Sequence, residues 1–236
     1  GGVYVENANP EIVGSRIRLN EAFIEGAGIY QNGGRGFISW TSFEHNNGYD
    51  YGGGIVSYQA TIDLNNTTFT KNVSGIGSAM SLHSSVVTIN NSILWGNDGP
   101  LFHSPNSSGL TSMDISYSDV EGGEIFLNAQ ENIVFNTSGG IIDVNPQFCE
   151  PNNNQFNLQE DSPCQTASDS NSIIGAYDVP CQALEIDNNI IDDYSLLQNY
   201  PNPFNPITRI SYILDLEGDY SITIFDLQGK LVKNLI

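Results

Sequence analysis

Charged, imidazole and aromatic side chains recur at related spacings in the first half of the chain. Arg18, Glu44 and Trp95 are separated by 26 and 51 residues, which are one and two steps of a 25- to 26-residue spacing. His45 and Lys71 are also 26 residues apart, and each comes one position after a member of this series, since His45 follows Glu44 and Lys71 follows Thr70. A carboxylate near an imidazole and an amine could act as general acid and base. An aromatic ring beside charged groups suits a surface that binds sugars.

The alternative interpretation of this group is a solvated turn. If Arg18 and Glu44 occupy neighbouring positions, they are expected to form an ion pair, and such a pair on a surface contributes little to stability. The remaining candidates for binding are then Arg18 and Trp95. If the protein is an enzyme, Glu44, His45 and Lys71 are the residues to test first.

A second candidate is an acidic group further along the chain, formed by Asp114, Asp119 and Glu121. Carboxylate oxygens are the ligands that Ca²⁺ prefers, so this group could hold Ca²⁺. Its spacing does not follow the loop pattern of an EF-hand, and ordinary surface charge is the alternative. No other cofactor is indicated.

The spacing that relates these residues runs through the whole first part of the chain. Two columns of equivalent apolar positions hold Ile12, Ile38, Leu64, Ile89 and Ile115, and Ile17, Phe43, Phe69, Leu94 and Val120. A fixed period of this length is typical of a stacked solenoid. The stretches within one period are short, β-branched and bounded by Asn and Gly, which favours strands. The sequence therefore predicts a parallel β-helix of about five to six coils, with the two columns filling its interior.

A polar column follows the same period and holds Asn20, Asn46, Asn72 and Asn97. In a stacked solenoid these residues lie above one another, so we expect an asparagine ladder in which each amide bonds its neighbours. Each such bond contributes about 0.5–1.5 kcal/mol net. We assign this column a structural role, because ladders satisfy the polar groups of buried turns.

Two stretches, GGGIVSYQATIDLNNTTFTKN and TINNSILWGN, resemble the repeats of the pectin-lyase-like superfamily. The resemblance covers roughly residues 1–147 and implies an all-β fold, a right-handed single-stranded parallel β-helix. That superfamily includes lyases, hydrolases, epimerases and non-catalytic adhesins, so the fold does not imply an activity. A lyase needs a basic residue and often Ca²⁺, and a glycosidase needs two carboxylates about 5–9.5 Å apart.

The charge balance limits the classes of partner. The chain has 27 acidic and 7 basic residues, a formal net charge of −20. Nucleic acid and anionic membranes are therefore poor partners, and no nucleic-acid partner is expected. No apolar run approaches about 18 residues, so no transmembrane segment is predicted. Gly1 falls at the position equivalent to Ala27, inside a repeat, and we expect further coils before it.

Residues 148–181 contain the cysteines Cys149, Cys164 and Cys181. Their spacing is not that of zinc ligands and no histidine lies nearby, so one disulfide is expected. The sequence leaves the pair open, and we favour Cys149–Cys164 because both lie in one short segment. The segment resembles the tail of many extracellular bacterial β-helix proteins. The resemblance implies a cap, in which a short hairpin closes the open end of the solenoid.

The C-terminal part differs from the repeats. Residues 182–194 are acidic and are interpreted as a linker, and a Pro- and Asn-rich motif precedes alternating strand-like residues. The motif comprises Tyr200, Pro201, Asn202, Pro203, Phe204, Asn205 and Pro206. Residues 195–236 resemble the C-terminal sorting domain of the type IX secretion system, a small Ig-like β-sandwich nearly twice this length. An ordinary accessory β-sandwich is the alternative.

The sorting resemblance implies an exported protein, secreted or attached to the outer-membrane cell surface, with the type IX secretion machinery as a partner. Terminal strands that carry much of the sorting signal are expected beyond Ile236. The first functional hypothesis is a non-catalytic, adhesin-like module that binds polysaccharide or cell-surface glycans. The alternative is a polysaccharide lyase or glycoside hydrolase, against which the few basic residues and the lack of a dense Asp cluster argue. A third possibility is a spacer that displays another domain.

Overall fold

The structure is a computed structural model. It describes residues 1–105, 109–128, 132–177, 181, 195–196, 212–213, 223–225 and 231–234. The chain divides into two compact units, Gly1–Gln182 and Ala183–Ile236. The first unit contains the repeats and the segment that follows them.

Short strands make up nearly all of the regular structure in the first unit. They are β1 (Val3–Glu6), β2 (Glu11–Val13), β3 (Arg16–Arg18), β4 (Glu21–Ala22), β5 (Ile29–Asn32), β6 (Arg35–Glu44), β7 (Asn47–Tyr51), β8 (Ile55–Tyr58), β9 (Thr61–Thr70), β10 (Val73–Ile76), β11 (Met80–His83), β12 (Val86–Asn90), β13 (Ile93–Leu94), β14 (Phe102–His103), β15 (Thr111–Ser116), β16 (Asp119–Val120), β17 (Ile133–Thr137), β18 (Phe148–Glu150) and β19 (Gln155–Leu158). The described part of the first unit also contains one α-helix, α1 (Gly123–Asn128), and two 3-10 helices, Pro151–Asn153 and Pro163–Thr166.

Strands β1 to β17 form three parallel sheets, and successive coils pair strand by strand. Sheet A has the order β1-β5-β8-β11-β14, and sheet C the order β10-β7-β4. Sheet B contains the remaining parallel strands, with β6 and β9 spanning its full width. The arrangement is a parallel β-solenoid of about five turns, which confirms the fold class expected from the repeat.

The predicted columns are the columns of the solenoid. Ile38 pairs with Leu64, and Leu64 pairs with Ile89 in the next coil. Phe43 and Phe69 pair in the same way, and their fully buried rings stack with centroids 4.3 Å apart. The interior of the solenoid is therefore filled by side chains from equivalent positions of successive coils.

The asparagine ladder expected from the sequence is present at the turn between sheets B and C. Asn20 Nδ2 donates to Asn46 Oδ1, Asn46 Nδ2 to Asn72 Oδ1, and Asn72 Nδ2 to Asn97 Oδ1, each at 2.9 Å. Each of the last three also donates to a backbone carbonyl, as Asn46 does to Ile17 O at 2.9 Å. The amides therefore satisfy both each other and the turn.

Residues 144–177, which we call the strap, differ from the cap expected at the open end of the solenoid. The hairpin β18–β19 is antiparallel, as predicted, but its apolar side chains pack against the outer face of sheet B. That second core cluster consists of Phe148, Phe156, Leu158, Cys164 and Ile174 together with Ile93 of β13. Sheet B presents Ile93 and hydroxyl side chains on this face, together with the carboxyls of Glu44 and Asp119, and the strap removes them from water.

The strap runs back along the side of the solenoid as far as its first coils. Arg16 Nη2 donates to the carbonyl oxygen of Asn154 at 3.1 Å, and the hydroxyls of Ser42 and Tyr177 are 3.1 Å apart. Thr68 Oγ1 accepts a hydrogen bond from the backbone N–H of Ala176 at 2.9 Å. The strap thus bonds to several coils along the side of the solenoid.

The expected disulfide between Cys149 and Cys164 is wrong, since the structure joins Cys149 to Cys181. Cys149 lies in β18, which pairs with β19, and the backbone N–H of Cys181 bonds to Leu158 O at the end of β19 at 2.8 Å. This hydrogen bond places Cys181 at the hairpin, close to Cys149. Cys164 is a free thiol, buried in the second core cluster.

Peptide mapping under non-reducing conditions is expected to recover one linked pair, Cys149 with Cys181. Cys164 is fully buried and should be alkylated only after denaturation. The variant Cys164→Ala should keep the linked pair, whereas Cys181→Ala should leave Cys149 reactive in the folded protein. A peptide that joins Cys149 to Cys164 in the unmodified protein would contradict this assignment.

The second unit contains β20 (Ser195–Leu196), β21 (Tyr212–Ile213), β22 (Thr223–Phe225) and β23 (Leu231–Asn234). Strand β20 pairs with β21, and β22 pairs with β23, both antiparallel. The motif of residues 200–206 and most of the expected Ig-like sandwich lie outside the described residues. No helix in the described ranges is long and apolar enough to cross a membrane.

Candidate functional site

The ion pair predicted between Arg18 and Glu44 is wrong in its basic partner. Arg18 and Glu44 are register partners, but the guanidinium that reaches the carboxylate belongs to Arg16. Arg16 Nη2 lies 2.7 Å from Glu44 Oε2, and Arg16 Nε donates to Oε1 at 3.2 Å. Glu44 is fully buried, and the strap holds Arg16 over it through the Asn154 carbonyl. Arg18 is exposed.

Glu44 is also bonded to the strap. The Tyr177 hydroxyl donates to Glu44 Oε1, and the Arg16 guanidinium lies 5.8 Å from the centre of the Tyr177 ring. Burial, with the hydrogen bond to Glu44, raises the pKa of Tyr177, and the hydrogen bond to Glu44 raises the pKa of Arg16. Arg16 and Tyr177 thus both bond to the carboxylate of Glu44, which has no surface exposed to solvent. Its geometry is that of an anchor for the strap.

His45 and Lys71 occupy equivalent corners of successive coils, both with left-handed backbone, at φ of 52° and 57°. The His45 ring lies 6.0 Å from the ring of Phe156 in the strap, and its Nε2 is buried without a hydrogen-bond partner in the described part of the chain. Lys71 is exposed. Within the described ranges, no hydrogen bond joins Glu44, His45 and Lys71 to one another, so they do not form a proton-transfer group.

Lys71 and Trp95 do share a site, a cleft of about 470 Å³ between the solenoid and the strap. Its solenoid side includes Lys71 and Trp95, which come from the corner after sheet B in successive coils. The polar side chains that line the cleft are those of Thr70, Lys71, Asn145, Gln147 and Gln159. An indole ring among amides, a hydroxyl and an amine can stack on a sugar ring and bond its hydroxyls.

The strap side of this cleft was not expected from the sequence. Asn145, Gln147 and Gln159 come from the strap, where the 25- to 26-residue period no longer relates one position to another. No signal in the sequence distinguishes these amides from other polar residues of an Asn-rich chain. Only the packing of the strap on sheet B brings them opposite Trp95.

The acidic group Asp114, Asp119 and Glu121 is not a calcium site in this structure. Asp114 is exposed and accepts from Asn136 Nδ2 at 2.6 Å, and Glu121 accepts from the Gly96 backbone N–H at 2.9 Å. Asp119 is fully buried beneath the strap. Across the described ranges, no three His, Cys, Asp or Glu side chains are placed to hold a metal ion. The three carboxylates are separated because they differ in face and in burial.

Asp119 has an environment of its own. Its Oδ1 accepts a hydrogen bond from the backbone N–H of Val144 at 3.2 Å, and its Oδ2 accepts from Cys164 Sγ at 3.3 Å. Burial raises the pKa of Asp119 to about 7, an effect that outweighs these two hydrogen bonds. Burial and the neighbouring Asp119 also raise the pKa of Cys164. The thiol is therefore protonated over the physiological range.

A row of aromatic rings on the outer face of sheet A was also missed from the sequence, although Tyr4 and Tyr30 follow the 26-residue period. These two rings stack with centroids 5.2 Å apart, and those of Tyr58 and His83 with centroids 4.1 Å apart. The Tyr58 hydroxyl donates to Glu25 Oε1 at 2.6 Å. Burial lowers the pKa of His83. Since these rings stack on one another, the stacked faces are not available to a ligand.

The fold and the tail together define an exported β-solenoid protein. Residues 198–235 match the family described as the secretion system C-terminal sorting domain. This type IX sorting domain indicates that the protein is secreted or attached to the cell surface and interacts with the type IX secretion machinery. No curated protein and no solved structure matches the chain significantly.

Proposed function

We propose that this protein is a non-catalytic, adhesin-like module whose β-solenoid, of the pectin-lyase-like type, binds polysaccharide or cell-surface glycans. The observation that carries the proposal is the cleft in which Trp95 and Lys71 face the amides of the strap. A tryptophan supplies apolar contact to a sugar ring, and amides supply donors and acceptors for its hydroxyls. Export to the cell exterior is the setting in which such ligands occur.

The enzymatic alternative, a polysaccharide lyase or glycoside hydrolase, has less support. A glycosidase needs a pair of carboxylates at the scissile bond. Among the described residues that line the cleft there is no Asp or Glu, and Glu44, one coil away from Thr70, is buried in its ion pair. The geometry therefore favours binding without turnover.

Trp95→Ala is expected to weaken glycan binding about tenfold or more, because the sugar loses its stacking surface. The measurement is a glycan array with the full chain, followed by titration of the best ligand and mass spectrometry for shortened chains. Trp40→Ala is the matched control, since Trp40 is a partly exposed tryptophan that does not line the cleft. Equal binding by both variants, or cleavage of the ligand, would overturn the proposal.

The charge of the ligand can be read from a second variant that leaves the packing of Trp95 intact. Lys71 is exposed, so Lys71→Gln removes one charge without opening the core. An acidic sugar should lose affinity in this variant and in added salt, whereas a neutral sugar should not. Retained binding to a neutral glycan would assign recognition to Trp95 and the amides alone.

A further inference from the structure

The buried carboxyl of Asp119 is hydrogen-bonded at both ends of the loop that forms the strap side of the cleft. Asp119 accepts hydrogen bonds from the N–H of Val144 and the Sγ of Cys164, which are 20 residues apart in the chain. Residues 145–163 lie between these two contacts and include Gln147 and Gln159 of the cleft. Asp119 itself belongs to β16 in sheet B. The loop is therefore held to the solenoid at both ends by the same side chain.

The neighbours of Asp119 do not compensate a negative charge. Ile93 pairs with Asp119 on one side, and Ile142 forms a bridge to it on the other. The charged groups that act on it are the carboxylates of Glu121 and Asp143, and both disfavour its ionisation.

The strap also places no positive charge over Asp119. The 3-10 helix Pro163–Thr166 and the residue before it contribute the Cys164 thiol and the Ser162 hydroxyl, and Ser162 Oγ is bonded to the Pro146 carbonyl and the Cys164 N–H. None of the described groups that act on Asp119 is a cation. An ionised Asp119 would therefore be a buried charge without a counter-ion, a costly arrangement.

We propose that Asp119 is a proton-linked clasp that controls the strap side of the cleft. With Asp119 protonated, residues 145–163 stay docked and the cleft keeps its amides. When Asp119 loses its proton to solvent, the state in which the loop lifts and water reaches the carboxylate gains population. This inference rests on the function proposed for the cleft and concerns the regulation of that site.

The rest of the strap keeps the motion local. The hydrogen bond from the Tyr177 hydroxyl to Glu44 fixes the end of the strap to the solenoid, and the Cys149–Cys181 disulfide ties the hairpin to Cys181. Within the loop, the bond from Arg16 to the Asn154 carbonyl and the packing of the hairpin on Ile93 must be released when the loop lifts. The opening is thus a lifting of residues 145–163, with the solenoid coils left intact.

The direction of the pH dependence follows from linkage. Burial raises the pKa of Asp119 to about 7 in the docked state, against about 3.9 for an exposed Asp, so the docked state binds the proton more tightly. The opening equilibrium then rises about tenfold per pH unit between about pH 4 and 7 and levels off above that range. Between pH 5 and pH 8 the population of the open loop is expected to rise on the order of 100-fold.

Hydrogen exchange of the full chain, followed by mass spectrometry at pH 5 to 8, tests the clasp. After correction for intrinsic exchange, protection of residues 145–163 in the native sequence should fall on the order of 100-fold between pH 5 and 8. Asp119→Asn, a neutral replacement of the same shape, should remove this pH dependence. Glu124→Gln, which removes one exposed carboxylate of α1, is the charge-matched control and should behave like the native sequence.

The proposal is overturned if the native sequence and Asp119→Asn show the same pH dependence, or if the strands of sheet B lose protection together with the loop. Cys164→Ala gives a second measurement, because it removes one of the two contacts and should increase exchange of the loop already at pH 5. Unchanged exchange in Cys164→Ala would contradict the clasp even if Asp119→Asn failed to fold.

Glycan titrations with the same variants separate this inference from the proposed function. If the loop responds to pH through Asp119 but no glycan binds at any pH, the proposed function fails and the clasp stands. If a glycan binds with the same affinity at pH 5 and 8 while the loop opens, the clasp does not regulate the site. If the affinity for the glycan falls as the pH rises in the native sequence and stays constant in Asp119→Asn, the result supports both the proposed function and the clasp.

Discussion

Asn46→Ala is expected to lower the free energy of unfolding of the solenoid by about 3–5 kcal/mol. Asn46 is fully buried and its amide makes four hydrogen bonds. Its Oδ1 accepts from the backbone N–H and the Nδ2 of Asn20 at 3.2 and 2.9 Å, and its Nδ2 donates to Asn72 Oδ1 and Ile17 O. Truncation removes these partners from groups that are buried or half-buried, although Asn72 Oδ1 keeps the bond from the Asn46 backbone N–H. Each buried group left unpaired costs about 1–3 kcal/mol.

The measurement is urea denaturation of the two proteins at one pH, with the slope of the transition compared as well as its midpoint. Asn65→Ala is the matched control, because Asn65 lies in a neighbouring column of the next coil but is exposed. The control should change stability by less than about 0.5 kcal/mol. Similar losses in the two variants would show that the ladder contributes no more than surface asparagines do.

The solenoid could be predicted in detail because translation along its axis repeats one environment. A residue such as Leu64 contacts Ile38 and Ile89, so its neighbours in space are its equivalents in sequence. The same reasoning predicts from the sequence alone that Asn46 lies against Asn20 and Asn72. A fixed period converts a one-dimensional spacing into three-dimensional contacts, which an irregular fold does not allow.

The strap lies outside that reasoning. Several of its contacts join residues more than 100 positions apart, as between Tyr177 and Glu44 and between Ala176 and Thr68, and the period does not predict them. The same limit explains the disulfide, since Cys181 reaches Cys149 through the end of β19 and not through proximity in sequence. Local patterns predicted the hairpin itself, but not the surface on which it packs.

The candidate site shows both situations at once. Lys71 and Trp95 lie in one cleft because the repeat places them at adjoining positions of successive coils, and the spacing predicts them as neighbours. The amides opposite them belong to the strap and were not predicted. When a site forms between a periodic scaffold and a non-periodic segment, the sequence therefore predicts only the residues of the scaffold. The residues of the segment, which are the ones that move in the proposed clasp, are not predicted.

Arg16→Met is expected to lower the free energy of unfolding by about 3 kcal/mol, whereas Arg18→Met should change it by less than about 0.5 kcal/mol. The register pairs Arg18 with Glu44, but the buried carboxylate is neutralised by Arg16. Removing Arg16 leaves a charge without exposed surface, and among the described residues only the Tyr177 hydroxyl then donates to it. The side chain of Arg16 is 41% exposed, so we place the loss at the lower end of the range for buried pairs.

The two arginine variants remove the same charge from the same strand, so their comparison isolates the contact with Glu44. Urea denaturation gives the two losses, and hydrogen exchange around Tyr177 reports whether the far end of the strap detaches in Arg16→Met. Further truncation by Glu44→Gln in the Arg16→Met background should restore part of the stability, because it removes the unpaired charge. Equal effects of the two single variants, or no recovery in the double variant, would show that Glu44 is not held by Arg16 in solution. Detachment of Tyr177 in Arg16→Met would show that the ion pair holds Glu44 in place for the Tyr177 hydroxyl, the contact that fixes the end of the strap while the loop near Asp119 opens.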